Sequence, residues 1–246
     1  MTEHAEMTGK HDQIAGSLIQ DILSGQYRVS ERLPSERDLA TRFDANRGAV
    51  REAMKKLEQI GLAQVQPGGA RVRPTDEASL DVIGHLLTQG KLPDATLVDQ
   101  IMVVLNSLIS VAALQTLELA SDEEINEIRK LARPLIDEDL DQGAHTLARF
   151  ELMESIMQAS RNLPLRLIAR TLFDQVAPNL TELHPFAIVD NEKHRIVAKQ
   201  LDRDLEHRDA YGLRDTFAAF LDLNRETMMR ASDAARLAAG QEAITP

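Results

Sequence analysis

The sequence predicts a mostly α-helical protein. An N-terminal winged helix-turn-helix with a small β-hairpin precedes an all-α helical bundle. Two features of the pattern lead there. Apolar residues recur at helical spacing nearly throughout, and the one break in that texture follows a third short helix. Composition agrees: 246 residues hold only 6 Phe, 2 Tyr and no Trp, with 12 Gly and 9 Pro. That is poor material for an all-β sandwich or barrel.

The first helix is expected over His11–Ser24, from Ile14, Leu18, Ile19 and Ile22, with Gly25 as its stop. Ser35 is an N-cap candidate for a second helix, Glu36–Phe43, with Asp38 three residues on. Asp44–Asn46 makes a tight turn. A third helix, about Arg47 to Ile60, carries Val50, Met54 and Leu57 on one face, and Gly61 ends it. Leu62, Val65 and Val72 around Pro67-Gly68-Gly69 read as a hairpin, and Pro74–Glu77 as a linker. The expected domains are therefore 1–75 and 78–246. In the second, helical spacing marks Ala78–Gln89, Ala95–Glu118, Asp122–Asp141, Ala144–Ser160, Leu163–Leu183, Ile188–Leu205 and Arg208–Ala239.

Charge divides the chain in the same place. The net charge is −11, yet residues 1–75 carry 11 Lys and Arg against 10 Asp and Glu. Arg28–Arg73 alone holds 10 basic and 6 acidic residues, so the helical part carries the acidity. A locally basic module beside an acidic one points to a nucleic-acid partner for the first domain. With no cysteine, disulfides and thiolate chemistry are excluded. Met1–Lys10 is polar, without the apolar core of a signal peptide. The most apolar stretch, Ile101–Leu114, is read as too short and too interrupted to span a bilayer. The expectation is a cytoplasmic protein with no membrane partner. Phosphate-binding, nucleophile-elbow and zinc-protease motifs are missing. Pairs such as Glu123-Glu124 read as solvated faces, so no enzyme and no cofactor are expected.

The third helix is the candidate recognition helix, because its N-terminal residues can reach base edges in a major groove. It opens Asn46-Arg47-Gly48-Ala49-Val50-Arg51. Arg47 and Arg51 share a face, and Gly48 allows close approach to double-stranded DNA. Arg37 suits a phosphate contact. Gly68, Arg71 and Arg73 belong to the wing. A two-fold dimer would read a palindromic operator.

Leu33-Pro34-Ser35-Glu36-Arg37-Asp38-Leu39-Ala40, Arg47–Leu57 and Gly61-Leu62 together resemble the GntR family of bacterial transcription regulators. The resemblance implies DNA contacts at Arg37, Arg47 and Arg51, a homodimer, and repressor-type regulation. Pro67–Ala70 departs from the family's usual Gly-x-Gly-Thr wing. Ala159–Leu165 is similar to the Ala-Ser-Gly-Asn-Pro-x-Leu turn of FadR-type effector domains, and Lys193–Val197 to a later Glu-His-Arg-x-Ile segment.

Many such domains hold a metal through Asp-x-x-x-His and two later histidines. Counting from Asn162, Arg149 and Met153 stand at the first two positions here, His194 at the third and Phe220 near the fourth. No metal is therefore expected. His194 is either a core histidine or a polar anchor for an effector. The resemblance then points to the metal-free branch that responds to fatty acyl groups, with Leu105, Met153, Met157 and Phe220 as apolar lining and Asn106, His194 and Asn224 as polar partners. The implied effector is a small molecule such as a fatty acid or acyl-CoA. A carboxylate metabolite is the alternative, as is a helical domain that only dimerises. The same apolar residues would equally form a dry core.

Overall fold

The computed structural model describes residues 9–67, 69–137 and 139–242; Gly68, assigned above to the wing, lies outside them. These residues form two compact units, Met1–Lys91 and Leu92–Pro246.

The first unit contains α1 (Lys10–Leu23), α2 (Glu36–Arg42), α3 (Arg47–Gln59), β1 (Ala63–Gln66), β2 (Gly69–Val72) and α4 (Val82–Leu87). Ser35 caps α2, accepting from the Asp38 amide at 3.3 Å and donating its hydroxyl to the Asp38 carboxylate at 2.6 Å. Asn46 caps α3 by accepting from the Ala49 amide at 2.8 Å. Gly61 follows α3 at φ +82°, a left-handed conformation that favours glycine. The antiparallel strands pair Ala63 with Val72 and Val65 with Ala70. Ile14, Leu18, Leu39, Val50, Leu57 and Leu62 build a core that also takes in Val82.

The boundary falls later than the expected 75–78. Arg73 pairs with Glu77 at 2.6 Å, and the Ser79 amide donates to the Ile60 carbonyl at 2.9 Å. Gln20 on α1 donates to the His85 carbonyl at 3.4 Å. The expected helix over Ala78–Gln89 is thus a short α4 that completes the N-terminal core.

The second unit contains α5 (Ala95–Leu119), α6 (Asp122–Asp137), α7 (Gln142–Ala159), α8 (Leu163–Val176), α9 (Asn191–Glu206) and α10 (Ala210–Glu242). Asp94, Asp141, Asn162 and Asp190 cap α5, α7, α8 and α9 with side-chain oxygens. The expected single helix over Leu163–Leu183 divides. Pro178 has no amide to donate, and α8 gives way to a 3₁₀ segment, Ala177–Phe186. Ile128, Ala132, Leu152, Ile156, Leu201 and Leu213 belong to its core.

Helix α5 corrects the reading of the apolar stretch at Ile101–Leu114. It runs 25 residues at a mean hydropathy of 1.9 over its most apolar part, so its length and composition would suffice to cross a bilayer. Ile101, Leu105, Ile109, Ala112, Ala113 and Thr116 are buried within the bundle, and the Thr116 hydroxyl donates to the Ile156 carbonyl at 3.0 Å.

Candidate DNA-reading surface and effector cavity

The start of α3 is open to solvent. Arg37, Asn46, Arg47, Gly48 and Arg51 are all exposed. Arg51 donates its Nε to both Glu36 oxygens, at 3.0 and 2.8 Å. Arg37 and Arg47 have no acidic partner among the described residues, which leaves their charges available to an anion. Asn46 spends its Oδ1 on the α3 cap. A side chain at Gly48 would come within 3.1 Å of that oxygen, so the glycine keeps the cap uncrowded.

At the wing, Arg71 is exposed and donates to the Ser30 carbonyl at 2.8 Å. Arg73 stands one residue past β2 and is drawn towards Glu77, away from the hairpin tip. Sequence reasoning missed Arg32. It forms an isolated bridge with Arg71 and lies against Gly69, where a Cβ would meet its Nε at 2.8 Å. The basic run from Arg28 was its only signal, since the segment between α1 and α2 has no periodicity.

The helical unit holds a cleft of about 420 Å³, counted out to its open mouth. Of the residues assigned to an effector site, Asn106, Met153, Phe220 and Asn224 line it. Leu105 and Met157 do not: both are buried core residues, at helical positions that face neighbouring helices. His194 is also buried and stands behind Phe220, ring centroids 6.3 Å apart. The remaining wall is mostly apolar, including Ile109, Leu152, Ile156 and Phe217.

Arg149 also lines the cleft, and sequence reasoning treated it only as a lost metal ligand. Its Nη2 donates to Asn224 Oδ1, and no carboxylate among the described residues pairs with it. Desolvation lowers its pKa to about 10. One turn earlier on α7 is His145, edge-to-face with His194 at 5.1 Å. Burial foremost, then the Arg149 charge, pushes both imidazoles down to about 4. His194 Nδ1 lies 3.0 Å from the Asp190 carbonyl, which can only accept. That places the proton of a neutral His194 on Nδ1. Both His145 nitrogens have no hydrogen-bond partner among the described residues, and the Asn224 side chain stands near the His194 ring.

These groups do not suit a divalent cation. No three His, Cys, Asp or Glu side chains gather as a ligand set among the described residues. A guanidinium beside the two imidazoles would repel a metal ion.

The gntR family model of bacterial regulatory proteins matches residues 10–72, which is α1 to the end of β2. The N-terminal domain belongs to this family. The chain is 36% identical over 93 residues to the transcriptional regulator Mce2R of Mycobacterium tuberculosis, spanning 37% of this chain and 39% of that one. A match of 32% over 125 residues links it to the transcriptional repressor NanR of an Enterobacter species, covering 48% of this chain and 46% of the relative. The chain therefore spans less than half the length of these curated relatives. The fold is similar to the solved structure of Lar, described as controlling expression of the Listeria monocytogenes agr system. That match has 15% identity and a TM-score of 0.55, and covers 94% of this chain and 99% of the other.

Proposed function

We propose that the protein is a transcription regulator that binds double-stranded DNA through its GntR domain and senses a small molecule in its helical unit. The observation that carries the DNA reading is the pair of exposed arginines around the open start of α3, Arg37 and Arg47, which have no acidic partner among the described residues. In a chain of net charge −11, exposed cations that no local acid neutralises are what a phosphate backbone selects. We assign bidentate contact with guanine to Arg47 and Arg51, Arg51 using the guanidinium nitrogens that Glu36 leaves free. The named relatives, a regulator and a repressor, support a regulatory role in the cytoplasm.

The protein acts as a homodimer on a palindromic operator, because one helix-turn-helix reads too few base pairs alone. The cleft between α5, α7 and α10 receives the effector. Its apolar wall supports a ligand with an apolar part, fatty acids included.

Selection of bound duplexes from a random pool tests this. A palindromic consensus is expected, with affinity that falls steeply with salt. Equal retention of all sequences would remove the specific-reader assignment.

A further inference from the structure

We propose that the cleft takes a compact monocarboxylate with an apolar body, its carboxylate held directly by Arg149, with no metal ion between them. This rests on reading the cleft as the effector site.

The argument starts from an imbalance of charge. Arg149 presents a planar fork of five N–H donors, and the structure gives it one neutral acceptor, Asn224 Oδ1. A half-buried guanidinium that lines a mostly apolar cleft is best answered by an anion, and no aspartate or glutamate among the described residues pairs with it. The two imidazoles beside it are neutral, so neither offers negative charge. A carboxylate matches the fork with two parallel hydrogen bonds.

The rest of the wall limits the ligand further. Asn106 spends its Nδ2 on the Phe217 carbonyl at 3.1 Å. Around it stand Ile109, Leu152, Met153 and Phe220, which offer nothing to further hydroxyls or a second charge. A sugar acid or a tricarboxylate would leave polar groups unpaired there. A coenzyme A thioester has no free carboxylate at its acyl end, and so leaves Arg149 unanswered. The arrangement inverts the metal-type logic: the cation is part of the protein, fixed at one position by α7 and Asn224.

The test is isothermal calorimetry on the full chain in EDTA, without DNA. The probes are butyrate, hexanoate, octanoate and benzoate, with their primary amides as uncharged matches. Citrate, inorganic phosphate and palmitoyl-CoA complete the panel. Saturable binding of at least one monocarboxylate, one per chain, is expected, with its amide weaker by about 30-fold or more. Arg149→Gln keeps a donor for Asn224 and removes the charge; it should bring the acid down to the level of the amide. Arg149→Lys keeps the charge without the fork, and should fall between. Circular dichroism and the melting temperature of each variant establish that it is folded. Should Arg149→Gln not fold, the acid-to-amide ratio in the wild-type protein decides alone. Three outcomes would overturn the proposal: no monocarboxylate binds, binding requires an added divalent ion, or acid and amide bind alike. Palmitoyl-CoA binding that ignores Arg149→Gln would overturn it too. Because no DNA is present, failure here leaves the DNA-reading assignment standing, and failure of the DNA selection leaves the calorimetry intact.

Discussion

Glu36, the first residue of α2, grips Arg51 on the recognition helix through both carboxylate oxygens. The pair is exposed, so its net contribution to stability is small. Its effect is to hold one arginine still while Arg47 beside it is left without an acidic partner.

Glu36→Gln should therefore leave the melting temperature almost unchanged. It should weaken binding to the operator, since Arg51 loses its fixed direction. Arg47→Ala and Arg51→Ala should abolish specific binding with the fold intact. Arg37→Ala should weaken binding to operator and scrambled DNA alike, because a phosphate contact carries no base information. Gel shifts on both duplexes decide. Normal operator binding by both recognition-helix variants would remove α3 from the interface.

Asn46 allows two roles to be separated. Asn46→Ala removes the α3 cap and should cost about 1 kcal/mol. Asn46→Asp keeps an acceptor for the Ala49 amide, and its negative charge suits a helix N-terminus. That variant should be as stable as wild type or more so, yet bind DNA less well, because the charge faces phosphates. Urea unfolding paired with fluorescence anisotropy measures both. Full DNA affinity in Asn46→Asp would place Asn46 away from the DNA.

Acid should destabilise the helical unit through His145 and His194. Their folded pKa values are about 4, below the unfolded value near 6.5. Between those values the unfolded chain takes up protons that the folded chain refuses. Stability is therefore complete above pH 6.5 and is lost as pH falls towards 4. By linkage the loss at pH 5 is about 2 kcal/mol per histidine. His145→Phe should flatten this part of the profile. An equal pH slope in that variant would show that His145 does not titrate there.

Asp204 is 2% exposed, and it accepts from the Thr216 hydroxyl and the Gln200 amide, each at 2.6 Å. Thr216→Val should cost about 1–3 kcal/mol by stripping a buried carboxylate of a donor. Gly212→Ala should also destabilise, since a Cβ there would meet Asp204 Oδ1 at 2.6 Å. Thermal melts resolve both. Wild-type stability in Gly212→Ala would show that the helix shifts to accommodate the methyl group.

Most helices were legible because capping residues and apolar spacing agree. Ser35 announces α2 before any packing is considered, whereas the Asn46 cap of α3 reads in the sequence only as part of a turn. The exposed arginines of α3 assigned to DNA, Arg47 and Arg51, are picked out by their place at its start. The effector cleft was legible only in part. Met153, Phe220, Asn106 and Asn224 converge as helical register suggests, but Leu105 and Met157 lie in the core. Register fixes a side chain's face, not which of two neighbouring helices that face meets. Arg149 reads in the sequence only as a side chain standing where a metal ligand would be, because its spacing from Asn162 says nothing of what surrounds it. Only the neighbours from α9 and α10 make its position informative. Arg32 lies in a segment without periodicity, so nothing local announced it.

Val82 sits in the core of the DNA-reading unit, seven residues past the end of the expected first domain. A truncation after Thr75 would strip α4 from α1 and remove Ala78, Val82 and Leu86 from the N-terminal core. Modular exchange must respect that seam. A chimaera that joins this reader to a foreign sensor should be cut at Lys91, where the two units meet in sequence. The same holds in reverse: whatever α5 to α10 convey to the reader along the backbone passes through the stretch around Gly90, Lys91 and Pro93.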